Sequence, residues 1–147
     1  MTPVGSTANV VRNTGLRIDA ASGITHSCYQ DIPDQGTGLR RIESIEDAKV
    51  LEGVEVGLSD WVVIDQHRID QFAEATGDYQ WIHVDTERAA KEMPNGKTIS
   101  HGYLTLALIP SLTGGFVEVV NLERAINFGL NKVRFYAPVY VGSKIRA

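Results

Sequence analysis

The sequence is short of cysteine: Cys28 is the only one in 147 residues. A lone thiol excludes an internal disulfide and any cysteine-rich zinc site, and it fits a reducing compartment. Long apolar runs are missing too. The most apolar stretch, Tyr103 to Leu112, contains Pro110 and falls well short of the ~18 residues that mark a membrane helix. The start, Met1-Thr2-Pro3-Val4-Gly5-Ser6, lacks a basic segment followed by an apolar one and so does not read as a secretory signal. A cytoplasmic protein with no membrane partner is expected. Positive charge is scarce as well: 14 Lys and Arg against 18 Asp and Glu leave a net charge of −4, which gives no reason to expect nucleic acid as a partner.

What is present suits one domain with one core, since the chain is too short for two comfortable ones. Its 43% hydrophobic and 22% charged residues are ordinary for a globular chain. Residues 1–39 differ from the rest. Glycine and proline are scattered among Ser, Thr, Asn and Asp there, with no sustained period of 2 or 3.6. This stretch, with His26 and Cys28, reads as a poorly ordered N-terminal extension, and residues 40–147 read as the domain.

Within the domain, Ser44-x-x-Asp47 opens a short helix, and Trp61 to Ile64 suits a strand. Asp65 is a good cap for an amphipathic helix carrying Ile69, Phe72, Ala73 and Thr76, which Gly77 ends. His67 reads as exposed surface on its first turn. Asp85 can cap a second helix over residues 86–91. Tyr103 to Leu112 is apolar nearly all round, so it needs cover on most sides. A curved sheet around one central helix provides that economically. Ile126, Phe128 and Leu130 alternate, as do Val133 and Phe135, and both runs suggest strands. Another strand begins at Lys144.

Two short runs carry the chemistry. Asp78 and His83 lie five positions apart on a bend between helices, and His101-Gly102 stands where the apolar segment starts. A carboxylate and an imidazole can hold one water between them and divide the proton work. An unpaired N–H at a helix start, as at Gly102, suits a developing oxyanion, and glycine allows close approach. Spacing leaves two other readings open: a capping Asp beside a loop His, and a metal site from Asp78, His83, Asp85 and His101.

Gly77-Asp78-Tyr79-Gln80-Trp81-Ile82-His83, Ile99-Ser100-His101-Gly102-Tyr103-Leu104 and Lys132-Val133-Arg134-Phe135…Pro138-Val139-Tyr140-Val141-Gly142 together resemble the MaoC-like, (R)-specific enoyl-CoA hydratase family. The likeness runs from about Arg41 to Ala147. The family pattern is Gly-Asp-x-Asn-Pro-x-His followed by a His-Gly helix start. The resemblance implies that Asp78 and His83 activate water and that Gly102 donates its N–H to the thioester carbonyl. The family's Asn falls on Gln80 and its Pro on Trp81. Gln80 and His101 are then expected to support the site, while a helix Ser found in some members falls on Pro110 and carries no role over.

An α+β hot-dog fold is therefore expected, usually dimeric, with an antiparallel sheet wrapped around a central helix. The implied reaction is hydration of trans-2-enoyl-CoA to (R)-3-hydroxyacyl-CoA in fatty acid metabolism. No metal is expected, and no cofactor beyond the coenzyme A of the substrate. Lys91, Lys97, Lys132, Arg134 and Lys144 read as solvated surface. Family members continue through further strands after the last one here, so a C-terminally incomplete domain is expected. Two rival readings are a catalytically silent acyl-CoA-binding module and a structural fragment completed by a partner.

Overall fold

The computed structural model describes residues 8–13, 16–21 and 39–147; His26 and Cys28 lie outside the described residues. Strands β1 (Ala8–Asn13) and β2 (Leu16–Ala21) form an antiparallel pair with an irregularity between Asn9 and Val11. Both lie in the stretch read as a poorly ordered extension, where Leu16, Ile18 and Ala20 alternate with Arg17 and Asp19 over only five residues. Backbone pairing ties them to the domain. β2 pairs with the strand at Ser143–Arg146, and that strand pairs in turn with Val62–Ile64.

In chain order, β3 (Arg40–Ile42) precedes a 3-10 turn at Glu46–Leu51. The Ser44 N–H and hydroxyl both donate to Asp47 Oδ2, at 3.0 and 2.9 Å, and Asp47 N returns a bond to Ser44 Oγ at 3.3 Å. That reciprocal pairing closes the start of the turn, as the Ser-x-x-Asp signature predicts. β4 (Val62–Ile64) leads into α1 (Gln66–Thr76), where Asp65 Oδ1 accepts from Arg68 N at 2.9 Å. Gly77 ends α1 at φ 75°, a left-handed cap that costs glycine little. Then come α2 (Trp81–Val84), α3 (Thr86–Glu92), α4 (Gly102–Ala107), α5 (Ile109–Thr113), β5 (Val117–Val119) and β6 (Ser143–Arg146).

The larger sheet has the order β1-β2-β6-β4, with every neighbour antiparallel, and β3 pairs with β5 in parallel. Ile64 and Ile145 from the sheet meet Ile69 of α1, Leu104 of α4 and Leu112 of α5 in one buried cluster. Val139 and Ala147 complete it, with Phe72, Leu108 and Ile109 packed against its edge.

Two expectations need correcting. The apolar segment from Tyr103 is not one helix covered on all sides: it is α4 and α5, separated at Leu108, and Tyr103 is 70% exposed. Pro110 lies in the first turn of α5, where a missing N–H is harmless, and it could not donate to the preceding turn of an unbroken helix. The alternating run Ile126, Phe128, Leu130 forms no strand. Phe128 is fully exposed and Ile126 is 81% exposed, so neither has a face to bury. Val133 and Phe135 are likewise outside any named strand.

Candidate functional site

The site is assembled where α1 hands over to α2 and where α4 begins. Gly77 turns the chain so that Asp78 stands between the helices, its N–H donating to Thr76 Oγ1 at 3.4 Å. Asp78 Oδ1 accepts the Gln80 N–H at 3.4 Å, and the Gln80 carbonyl accepts His83 N at 2.9 Å. Gln80 thus serves through its backbone as the start of α2, and its side chain is exposed. Trp81, at the position of the family's proline, carries the Arg88 guanidinium 4.1 Å above its ring, a cation–π contact that ties α2 to α3.

His83 is buried, with 7% of its surface exposed. Its Nδ1 lies 2.7 Å from the Ile99 carbonyl oxygen. A carbonyl only accepts, so Nδ1 carries the proton and the neutral ring has its lone pair at Nε2. His101 is fixed in the same manner, with Nε2 3.0 Å from the Asp78 carbonyl oxygen. Its proton therefore sits at Nε2 and its lone pair at Nδ1, a buried atom with no hydrogen-bond partner among the described residues. The two rings stack at 3.8 Å between centroids, and Phe72 lies 5.1 Å from His101 on a tilted face.

Burial pushes the His83 pKa below its usual 6.5, the largest influence on it. The Ile99 carbonyl opposes that shift, His101 reinforces it, and Asp78 opposes it. The outcome favours the neutral form of the imidazole.

Segment 98–100 is clamped from two sides. Ile99 N donates to Ile82 O at 3.0 Å, Ser100 N to Val139 O at 2.7 Å, and Val141 N to Thr98 O at 3.0 Å. Gln66 of α1 joins both halves: its Nε2 donates to His83 O at 2.8 Å, and its Oε1 accepts from Thr98 Oγ1 at 2.6 Å. The His83 carbonyl and the Ile99 carbonyl that orients its ring are therefore set by one hydrogen-bonded frame.

A pocket of about 260 Å³ opens against this frame, lined by His83, Ile99, Gly102, Thr105, Phe135 and Tyr136 among others. Among the described residues the Gly102 N–H has no acceptor. The Phe135 ring occupies the space beside Gly102: a Cβ there would come within 2.9 Å of it. His83 and Gly102 share this pocket; Asp78, exposed and not part of the lining, comes within 4.8 Å of His83 and His101 by its donor atoms, and Gln80 is tied to it by the backbone bond above. Thr105, Phe135 and Tyr136 were not foreseen as site residues. Thr105 has one visible signal, a hydroxyl within an apolar run, and Phe135 stands in the third motif of the resemblance; Tyr136 reaches the pocket by tertiary packing alone.

Asp78, His83 and His101 offer donor atoms within 4.8 Å of one another. Asp85, the fourth candidate ligand, instead caps α3 by accepting Arg88 N at 2.9 Å. Zinc needs lone pairs converging at ~2.0 Å in a tetrahedral set. The two imidazoles are stacked with 28° between their planes, and Asp78 is exposed.

Together these features gather a carboxylate, two stacked imidazoles and an unpaired backbone donor around one pocket. The profile of the MaoC like domain matches residues 48–147. The 3-hydroxyacyl-thioester dehydratase Z of Mycobacterium tuberculosis is 55% identical over 109 residues, which cover 74% of this chain and 72% of that protein. Nodulation protein N of Rhizobium leguminosarum bv. viciae is 45% identical over 104 residues, 70% of this chain and 65% of that protein. Its counterpart in Rhizobium meliloti is 46% identical over 103 residues, 69% and 64% of the two chains. The chain belongs to the MaoC-like dehydratase family. Among the described residues no helix is long and apolar enough to cross a membrane.

Proposed function

We propose that the protein interconverts trans-2-enoyl-CoA and (R)-3-hydroxyacyl-CoA by adding or removing water. The observation that carries this reading is the bond from His83 Nδ1 to the Ile99 carbonyl at 2.7 Å. It leaves Nε2 of a buried, low-pKa imidazole free to take a proton in a pocket shared with Gly102. The similarity to a protein named as a 3-hydroxyacyl-thioester dehydratase supports the substrate class.

In the hydration direction a water held by Asp78 and His83 bonds through its oxygen to C3. The π pair moves toward the thioester carbonyl, whose oxygen gains charge and accepts the Gly102 N–H. C2 takes a proton, and the Asp78/His83 pair hands on the one lost by water, so hydrogen and hydroxyl are added with no redox change. The coenzyme A moiety is carried by the substrate, and the chemistry uses no further cofactor. The same reading has the sheet wrapping α4–α5 as in a hot-dog fold, with a second copy of the chain completing a homodimer.

Hydration of crotonyl-CoA, followed by loss of enoyl-thioester absorbance, tests the assignment. Asp78→Asn and His83→Ala should each reduce kcat/KM by at least ~10²-fold, the scale of a lost general acid or base. An undiminished rate in either sinks it. Tight thioester binding without turnover in the unaltered protein identifies a silent binding module instead.

A further inference from the structure

Thr105 stands out among the helical hydroxyls. Thr76, Ser111 and Thr113 each return their hydroxyl to a carbonyl of the preceding turn: to Phe72 O at 2.7 Å, Leu108 O at 2.9 Å and Ile109 O at 2.9 Å. That is the ordinary local solution for Ser and Thr in a helix. For Thr105 the corresponding acceptor is the His101 carbonyl, and it is crowded. Leu104 N at 3.1 Å, Thr105 N at 3.4 Å and Ser100 Oγ at 3.1 Å all point to that one oxygen, which has two lone pairs. Thr105 Oγ1 is left buried with no hydrogen-bond partner among the described residues, in a side chain only 1% exposed.

Leaving such a hydroxyl unpaired is costly, because it has given up water for nothing in return. Thr105 also lines the same pocket as His83 and Gly102. It lies one helical turn beyond Gly102, on the same face of α4. Phe135 and Tyr136 also line the pocket and are 43% and 63% exposed, so their side chains can adjust to a ligand more readily than the buried Thr105.

We infer that the Thr105 hydroxyl is a substrate-contacting group that binds the oxygen on C3, as the attacking water in one direction and as the 3-hydroxyl in the other. The inference rests on the hydratase reading and adds a residue to it. The thioester oxygen has the Gly102 N–H. The reacting oxygen has Asp78 and His83 and retains hydrogen-bonding capacity for another partner. A hydroxyl both donates and accepts, so it can follow that oxygen as it changes from water to alcohol. An alkyl chain laid against Thr105 would leave the hydroxyl as unpaired as it is now.

The test measures binding in an Asp78→Asn background, where turnover is expected to be lost. (R)-3-hydroxybutyryl-CoA and butyryl-CoA, which differ only at C3, are titrated calorimetrically against the full chain. The hydroxylated ligand should bind about tenfold tighter or better, as one added hydrogen bond permits. Adding Thr105→Val should abolish that preference and leave butyryl-CoA affinity unchanged, whereas Thr105→Ser should keep it. Thr105→Val should also melt no lower than its parent, because it removes an unpaired buried hydroxyl. A preference that survives Thr105→Val overturns the inference, and so does a lowered melting temperature with both ligands weakened equally. If the Asp78→Asn protein still turns the ligand over at the parent rate, the hydratase reading itself has failed, which is a separate outcome.

Discussion

The imidazoles of His83 and His101 are stacked at 3.8 Å, and each is oriented by a backbone carbonyl: Ile99 for the first, Asp78 for the second. The carbonyls fix both tautomers, so the stack holds its two lone pairs on known atoms. Positive charge on either ring would be felt at close range by the other, in a partly water-excluded setting where Coulomb terms are strong.

Activity should therefore follow the protonation of His83. Its pKa lies below 6.5, mainly through burial and further through His101, so the acid limb of kcat/KM for the free enzyme should fall below 6.5. Replacing His101 by Asn removes the repelling ring and admits solvent, and both changes favour the protonated form of His83. The acid limb of His101→Asn should move upward toward neutrality. A pH–rate profile of crotonyl-CoA hydration reads it directly, and a downward shift would contradict this electrostatic account.

Stability should follow the same group. Between the lowered folded pKa and the unfolded value near 6.5, the unfolded chain binds the extra proton, so stability rises with pH across that window. The contribution is fully present above pH 6.5 and is lost as pH falls through the folded pKa. Thermal melts from pH 7.5 to 5 should show a steeper decline for the parent than for His83→Gln, which has no proton to gain. Equal slopes would mean that other groups govern the acid response.

Gln66 offers a prediction remote from the reacting atoms. Its amide accepts from Thr98 Oγ1 at 2.6 Å and donates to His83 O at 2.8 Å and to Asp70 Oδ1 at 2.7 Å. Thr98 is 1% exposed, so Gln66→Ala strands a buried hydroxyl and frees the end of α2. A loss of ~1–3 kcal/mol in urea unfolding is expected, together with a fall in kcat larger than any rise in KM, because the base is loosened while the pocket wall remains.

Much of this site was readable before any fold was known. Asp65 and Gly77 bracket α1, and Asp85 starts α3, because caps depend on local hydrogen bonds and φ preference that a few residues encode. Asp78, His83 and Gly102 were readable for a related reason, since short segments carry them to adjoining positions. What was not readable depends on distant partners. Alternation at Ile126, Phe128 and Leu130 looks like a strand, yet a strand needs a neighbour to accept its hydrogen bonds, and none of the three joins a named strand. β1 and β2 err in the opposite sense: the alternation of Leu16, Ile18 and Ala20 is too short to stand out among the surrounding Gly, Ser and Thr, yet the strands pair. Nothing in the sequence marks Thr105 beyond a hydroxyl in an apolar run; the crowded His101 carbonyl, a matter of three-dimensional packing, is why its hydroxyl is spare.

The contact of Gly102 with Phe135 yields the last prediction. A Cβ at position 102 would lie 2.9 Å from Phe135 Cδ2 and Cε2, and 3.0 Å from Cγ, well inside van der Waals separation. Something must move. Phe135 is 43% exposed and outside any named strand, so the ring can swing aside more easily than the α4 backbone, which the buried Leu104 and Thr105 anchor. The displaced ring has the pocket beside it, since Phe135 is one of its walls. Gly102→Ala should thus melt within a few degrees of the parent while KM for crotonyl-CoA rises, and Phe135→Ala in the same chain should restore room and recover much of the lost kcat/KM. Non-additivity of this sign is the mark of two residues competing for one space. If the double variant is as impaired as the two single losses combined, the glycine is required for a reason other than its contact with Phe135.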